Sequence, residues 1–351
     1  MVGELAVLGA FDERLEAELR RLVDDAARGP AQWVEAVGCA RRLVEAGGKR
    51  IRPKLCALAF LASGGQDGAE IGLVRFAAGI ELLHTCMLVH DDVMDRSLVR
   101  RGVPSVHCAI QRSGVVSDSR LADGVAVVVG DVLATLATEE FAAEELPHDL
   151  ARRAAAVVHH AMRDTAAGQV LDLTHGGRPI EAVSEEDILL TYRLKTAFFA
   201  FEAPLRSGAI LARADDRVAD ALAEFGLRLG TAFQLRDDLI GFLGKQSLTG
   251  KRTVDDLREG KKTLLLKLLW NRCGAEDRAR LSGIVGCREP DETELRRLQE
   301  VARETGAVAE VEGRITALSS EAASILGSVE LIEPWRGHLT LLSAWLQRRE
   351  A

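Results

Sequence analysis

Apolar residues recur three and four positions apart along almost the whole of this 351-residue chain. That spacing is what one face of an α-helix requires. Period-two alternation, the mark of a half-buried strand, is nearly absent, and the run VAVVV at 125–129 lies inside a helical pattern. The spacing predicts helices over about 12–28, 31–46, 53–63, 69–95, 118–144, 149–174, 185–212, 215–243, 261–271, 291–304, 307–327 and 335–348. Breaks fall at Gly47-Gly48, Ser63-Gly64-Gly65, Pro147, Gly176-Gly177-Arg178-Pro179 and Gly250. No Ser/Pro-rich linker, composition shift or fixed-length repeat divides the chain. The expected fold class is therefore all-α: a single domain over residues 1–351, a large helical bundle around a deep central cavity.

The segment LVHDDVMDRSLVRRG, residues 88–102, bears on chemistry. On a helix Asp91 and Asp95 share a face one turn apart, with Asp92 beside them. Carboxylates so close repel, and a hard divalent cation offsets that cost. Magnesium takes oxygen ligands, keeps several waters and bridges one or two carboxylates to substrate phosphates. Arg100 and Arg101, just downstream, suit bidentate capture of phosphate oxygens. A solvated helix face also reads as an acid run, but here the run GIELLHTCMLV at 79–89 precedes the acids. They are expected at the inner end of a buried helix.

A second pair, Asp237 and Asp238, ends another long apolar stretch in GTAFQLRDDLIGFLG, 230–244. In a bundle, facing helices can place both acid pairs across one cavity, where metal ions clamp one diphosphate. Lys251, Lys261 and Lys262 follow this pair as the arginines follow the first, although a lysine such as Lys262 is also ordinary solvated charge at a helix end. Upstream, EAGGKRIRPKL (45–55) sets Lys49, Arg50 and Arg52 around a glycine break, with Pro53 suited to a helix start. Basic side chains with free N–H groups there make an anion site, and Gly47-Gly48 lets the backbone approach a ligand closely.

A net charge of −8 argues against nucleic acid as a partner. No apolar run approaches the roughly 18 residues of a membrane span. The opening MVGELAVLGAFDERLEAELRR lacks the basic region of a secretory signal. Six scattered cysteines without a CxxC read as reduced core thiols, so a cytoplasmic location is expected.

These segments resemble, in order, the motifs of the trans-prenyl diphosphate synthases, or polyprenyl synthetases, and geranylgeranyl diphosphate synthases in particular. They are GGKRIRP (47–53), ELLHTCMLVHDDVMDRSLVRRGVPSVH (81–107), GD (130–131), GQVLDL (168–173), YRLKTA (192–197), FQLRDDLIG (233–241) and DDLREGKKT (255–263). The similarity covers about residues 40–270. It implies a homodimeric, magnesium-dependent prenyltransferase that joins isopentenyl diphosphate to an allylic diphosphate by ionisation and head-to-tail elongation. By that resemblance Asp91, Asp95 and Asp237 are direct ligands of about three magnesium ions, and Asp92 and Asp238 ligate or support them. Arg100, Lys195, Gln234, Lys251 and Lys261 contact the allylic diphosphate, with Thr196 beside them. Lys49, Arg52, His84 and Arg101 hold isopentenyl diphosphate. His84 lies seven residues, two helical turns, before Asp91, so the spacing permits this. Asp131 and Asp172 match family positions as structural or supporting groups.

The resemblance is incomplete at one place. The second acid motif of the family reads DDxxD, whereas this chain has Gly241 where the third acid belongs. Weakened metal binding at that helix is expected more than lost activity, and a noncatalytic partner subunit is the alternative on this ground. A class I terpene cyclase is another, but it needs an NSE/DTE-type second motif and no isopentenyl diphosphate site. A di-iron bundle would use the Glu81-x-x-His84 and Glu145-x-x-His148 spacings. Product length is expected to depend on Met87, Cys86, Leu83 and Ile80, along the path of the growing tail. None is aromatic, which points to a tail longer than farnesyl and to geranylgeranyl diphosphate. Phe198, Phe199 and Phe201 are candidates to line the cavity.

Overall fold

A computed structural model describes residues 9–65, 70–244, 255–288 and 290–348. Apart from one two-stranded hairpin, the regular structure of the described residues is helical, so the all-α class predicted from the spacing is the one observed. The chain divides into two compact units, residues 2–156 with 207–214 and residues 157–206 with 215–351.

The N-terminal unit contains α1 (Gly9–Ala26), α2 (Ala31–Glu45), α3 (Ile51–Ala62), α4 (Glu70–Met94), the strands β1 (Val99–Arg100) and β2 (Val103–Pro104), α5 (Val106–Ser113), α6 (Ser119–Phe141) and the start of α7 (His148–Gly176). Helix α4 is its axis, and α1, α3, α5 and α6 all pack on it. A helix that is apolar on every side belongs inside a protein. Phe76, Ala77, Ala78, Ile80, Leu82, Leu83, Cys86 and Val89 are accordingly all buried.

By length and mean hydropathy, the segments Ile71–Met94 and Ser119–Phe141 would each suffice to cross a membrane. The expectation that no apolar stretch reaches that length is thus corrected, because scattered polar residues break the runs without lowering the mean. In α4 the polar interruptions lie in a core helix, 72% of whose most apolar window is buried; for α6 the figure is 33%.

The C-terminal unit takes up the rest of α7, a 3-10 turn (Ile180–Ala182), α8 (Glu185–Tyr192), a π-helical segment (Arg193–Glu202), α9 (Ala203–Leu211), whose end belongs to the other unit, and α10 (Asp216–Leu243). A short helical turn (Asp255–Arg258) follows, then α11 (Leu264–Arg272), α12 (Ala275–Ser282), α13 (Glu292–Glu304), α14 (Ala307–Gly327) and α15 (Trp335–Arg348). Helix α10 is its axis, packed chiefly against the π segment and α14. Local chemistry sets the helix starts. Ser184 and Asp187 form a capping box at α8. Thr263 accepts the Leu266 N–H and starts α11 three residues later than the spacing predicts.

Candidate active site

The last turn of α4 carries the first acid motif. The Asp95 N–H donates to the Asp91 carbonyl at 2.8 Å, so the two acids stand one helical turn apart. Both are half-buried, whereas Asp92 is fully buried. Asp92 faces the hairpin: Arg100 donates to its Oδ1 from Nε at 2.8 Å and from Nη2 as well. Arg100 Nη2 also lies 3.8 Å from Asp91 Oδ2. Burial pushes the Asp92 carboxyl above the usual carboxylate range despite the pull of Arg100. Burial likewise opposes the charge on Arg100, but Asp92, Asp91 and Asp95 more than offset it and raise its pKa.

Residues 99–104 form the hairpin, with Val99 paired to Pro104 and Arg100 to Val103. Arg101 and Gly102 both have positive φ, 53° and 78°, as a type I′ two-residue turn requires. This geometry separates the two arginines. Arg100 turns to Asp92, while Arg101 donates from Nη2 to Glu81 Oε1 at 3.3 Å. The Arg101 guanidinium lies against Gly48, where a Cβ would come within 3.0 Å of it. The glycine break therefore brings the backbone against an arginine, and any side chain at 48 would displace that group.

Glu81 is the anionic centre of this region. It is 1% exposed and accepts from Arg50 Nη1 at 2.6 Å as well as from Arg101. Arg50 also donates to Glu16 Oε1 at 2.7 Å and to the Val44 carbonyl at 2.8 Å, which ties α1 and α2 to α4. Positive charge nevertheless dominates. Burial lowers the Arg52 pKa to about 10, with Glu81 opposing and Arg101 adding to the drop. Burial also lowers Arg101, whose neighbours Arg50 and Arg100 repel it. The half-buried His84 is held well below its ordinary value by burial and then by Arg52, Arg101, Arg50 and Arg100. A neutral imidazole beside several guanidinium groups and one carboxylate is an arrangement that an anion would stabilise. Of the four residues expected around isopentenyl diphosphate, the structure brings Arg52, His84 and Arg101 into this one electrostatic cluster, while Lys49 is exposed beside it.

In the C-terminal unit the second acid motif lies near the end of α10. Asp238 is buried and committed at both oxygens: Gln234 Nε2 donates to Oδ1 at 2.9 Å, and the Tyr192 hydroxyl donates to Oδ2. Tyr192 in turn accepts the Leu264 N–H at 2.9 Å, and Thr196 Oγ1 donates to Gln234 Oε1 at 2.8 Å. Burial, with Asp238 adding to it, pushes the Tyr192 hydroxyl well above its ordinary pKa, so it stays a donor. Asp237, one residue earlier, is half-buried. The two motifs are built alike: in each, the second aspartate is buried and hydrogen-bonded within its own unit, and the first is half-buried.

Lys195 and Thr196 sit on the π segment, and π turns are frequent at functional sites. Gly168 of α7 makes room for it, since a Cβ there would meet the Lys195 backbone nitrogen at 2.5 Å. Lys195 Nζ donates to Asp172 Oδ2 at 2.5 Å, so Asp172 supports the lysine. Lys261 pairs with Glu259 at 2.9 Å. Lys262, by contrast, is buried and donates to the Gly176 and Gly260 carbonyls, closing the C-terminus of α7. That corrects its reading as solvated charge. Lys251 lies outside the described residues.

Ile80, Leu83 and Cys86 are buried on α4 and Met87 is half-buried. Burial pushes the Cys86 thiol up to about 12, so it behaves as a small apolar group. Phe199 and Phe201 are also buried, with the Phe201 ring 5.2 Å from that of Phe233, and so belong to the core of their unit. Glu81 is engaged by two arginines and Glu145 by Arg75, which removes the di-iron reading. Asp131 is exposed, 3.7 Å from His90 Nε2, and Gly130 admits the His90 ring, as a Cβ there would lie 2.3 Å from it.

Among the described residues no three His, Cys, Asp or Glu side chains gather as a ready-made metal site. Two aspartates one turn apart, with oxygen donors only, fit magnesium that completes its shell with phosphate and water. They do not fit zinc. Sequence reasoning did not assign Glu81 its place among the arginines or Tyr192 its bond to Asp238. Each had a signal: Glu81 is a lone carboxylate in an apolar run, which burial obliges to find partners, and Tyr192 is the single tyrosine of the chain.

A family model described as polyprenyl synthetase matches residues 33–302. The geranylfarnesyl diphosphate synthase of Aeropyrum pernix is 34% identical over 299 residues, 84% of this chain and 88% of that protein. The geranylgeranyl diphosphate synthase of Saccharolobus solfataricus is 32% identical over 264 residues, 74% of each. The crystal structure of geranylgeranyl pyrophosphate synthase from Corynebacterium glutamicum, complexed with isoprenyl diphosphate and magnesium, superposes with a TM-score of 0.87. Its identity to this chain is 30%, and the match covers 97% of this chain and 98% of that one.

Proposed function

The chain belongs to the polyprenyl synthetase family and is a trans-prenyltransferase, and from that premise we propose that it condenses isopentenyl diphosphate with an allylic diphosphate, head to tail, in a magnesium-dependent reaction. The observation that carries this reading is the cluster of Arg52 from α3 and Arg101 from the hairpin around His84, which lies on α4, the helix that also bears Asp91. An enzyme that only ionises and cyclises one allylic diphosphate has no use for a second anion site of this kind.

The roles follow residue by residue. Asp91, Asp95 and Asp237 hold about three magnesium ions together with the substrate diphosphate. Bound magnesium supplies Lewis-acid stabilisation to the departing diphosphate. Asp92 and Asp238 keep Arg100 and the Gln234–Thr196 pair in position. Arg100, Lys195, Thr196, Gln234, Lys251 and Lys261 bind the allylic diphosphate and add fixed positive or donor groups where charge develops. Arg52, His84, Arg101 and Lys49 hold isopentenyl diphosphate with its double bond toward the allylic carbon. The proton lost after bond formation leaves with the released diphosphate, since among the described residues no side chain stands out as a dedicated base. Apolar α4 residues keep water from the cation.

Ile80, Leu83, Cys86 and Met87 line the path of the tail, and the product is geranylgeranyl diphosphate. The lack of an aromatic group within three turns of Asp91 favours a long tail. The relatives are named for a product of that length, geranylgeranyl, and for one a five-carbon unit longer, geranylfarnesyl. Six free thiols suit the cytoplasm. The exposed apolar residues Leu121, Val127 and Val128 on α6 suit pairing of two copies of the chain.

The test is product analysis of the purified chain with isopentenyl diphosphate, each allylic starter and magnesium. We expect a twenty-carbon diphosphate, none without isopentenyl diphosphate, and none with the metal chelated. Release of inorganic diphosphate from an allylic starter alone, with a cyclic hydrocarbon formed, would replace this reading with a cyclase. An inactive chain would make it a noncatalytic subunit.

A further inference from the structure

Helix α1 precedes the stretch that the polyprenyl synthetase model matches, which begins at residue 33. It is amphipathic: Leu15, Leu19, Leu22 and Val23 form a buried stripe, and the helix packs on α2 and α4. Beside the stripe, Asp12 and Glu16 stand one turn apart. Both meet basic groups at the start of α3. Asp12 Oδ2 lies 2.6 Å from Lys54 Nζ. Arg50 donates to both Glu16 oxygens, from Nε to Oε1 at 2.7 Å and from Nη2 to Oε2 at 3.2 Å. Two such bonds fix the plane of a guanidinium as well as its position.

Arg50 stands immediately before α3 with a left-handed backbone, φ 46° and ψ 43°. A residue with a Cβ keeps that conformation only where its surroundings over-determine it. Its neighbours Gly47 and Gly48, at φ 78° and 153°, supply no such constraint. The constraint comes from the side chain. Arg50 is 4% exposed, and besides Glu16 it reaches Glu81 Oε1 at 2.6 Å and the Val44 carbonyl at 2.8 Å. The turn so fixed carries Lys49 on one side and Arg52 on the other, both in the proposed isopentenyl diphosphate site. The Glu81 oxygen that Arg50 holds is also the one that accepts from Arg101 Nη2 at 3.3 Å.

We propose that Glu16 of α1 is a positioning residue for isopentenyl diphosphate: by holding Arg50 it fixes the turn that presents Lys49 and Arg52, and the Glu81 contact that orients Arg101. The proposal deepens the function proposed above and rests on the assignment of that basic cluster to isopentenyl diphosphate. Glu16 acts through Arg50 and touches no substrate. Asp12 separates this role from simple docking of the helix, because its ion pair joins α1 to α3 through Lys54 instead of Arg50.

The experiment is steady-state kinetics of the full chain with isopentenyl diphosphate, farnesyl diphosphate and magnesium, each substrate varied in turn, beside urea unfolding midpoints. Glu16→Gln keeps the size of the side chain and removes its charge. It is expected to raise the KM for isopentenyl diphosphate about fivefold, with kcat and the KM for farnesyl diphosphate within about twofold of the unaltered chain. Asp12→Asn is expected to lower the urea midpoint as Glu16→Gln does, yet to leave both KM values in place. Arg50→Lys keeps the charge and loses the paired bonds. It is expected to raise the same KM at least as far, and adding Glu16→Gln to it to raise it no further. If Arg50→Lys does not fold, Glu16→Gln against Asp12→Asn decides. Arg52→Gln tests the underlying assignment: an unchanged KM for isopentenyl diphosphate there overturns the site and the role of Glu16 together. A raised KM in Arg52→Gln with an unchanged one in Glu16→Gln overturns the role of Glu16 alone. So does a rise in Asp12→Asn equal to that in Glu16→Gln, which reduces the effect to docking of α1, or a rise in both KM values together.

Discussion

At the scale of single residues, the acid motifs separate into members that build and members that reach outward. Tyr192 is the clearest builder, with its hydroxyl between Asp238 and the Leu264 N–H. Tyr192→Phe leaves both groups buried without that partner and is expected to lower stability by about 1–3 kcal/mol, read as an earlier urea midpoint. It should also raise the KM for the allylic substrate through Gln234, with little change in that for isopentenyl diphosphate. Three histidines set the response to acid. Burial is the first cause that lowers His84, His107 and His159, so the folded chain resists protons that the unfolded chain takes up near pH 6.5. Stability is therefore full above that pH and falls as the medium is acidified below it. Unfolding midpoints at pH 7.5 and 5.5 check this, and His107→Gln should lose less between the two than the unaltered chain. The acids and arginines were legible because their spacing on a helix or around a break is local. Their partners were not: Arg50 meets Glu81 and Tyr192 meets Asp238 across 31 and 46 residues, and no pattern in one sequence encodes such a meeting.

Among the elements, long helices with a sustained apolar period were readable nearly to their ends, and α14 matches its predicted span. Short ones were not. Helix α5 has only eight residues, too few to establish a period, and the eight residues of α12 are mostly charged or small. The hairpin escaped because its strands have two residues each, although Arg-Arg-Gly hints at its turn. The π segment at 193–202 was read as plain helix, since only packing distinguishes the two. That packing depends on Gly168. Gly168→Ala puts a methyl group against the Lys195 backbone and is expected to cost about 1–3 kcal/mol by overpacking. It should lower kcat while leaving the KM for isopentenyl diphosphate in place, because Lys195 and Thr196 move and the Arg52 cluster does not. Steady-state kinetics with each substrate varied in turn would reveal a uniform loss if the π segment had no part in the site.

At the scale of the whole molecule, the exposed apolar face of α6 is the feature most in need of a partner. Leu121 and Val128 are each about half exposed, 51% and 52%, on a helix otherwise rich in alanine and valine. Val128→Asp is expected to turn a dimer into a monomer in sedimentation or light scattering; an unchanged mass would place the contact elsewhere. The hairpin described above has a consequence of its own. Arg100 and Arg101 occupy consecutive positions in a turn whose backbone angles are fixed, one leaning on Asp92 and the other on Glu81. They are yoked. A single peptide plane separates the two guanidinium-bearing residues, so a substitution that frees Arg101 from Glu81 is expected to disturb the grip of Arg100 on Asp92 as well.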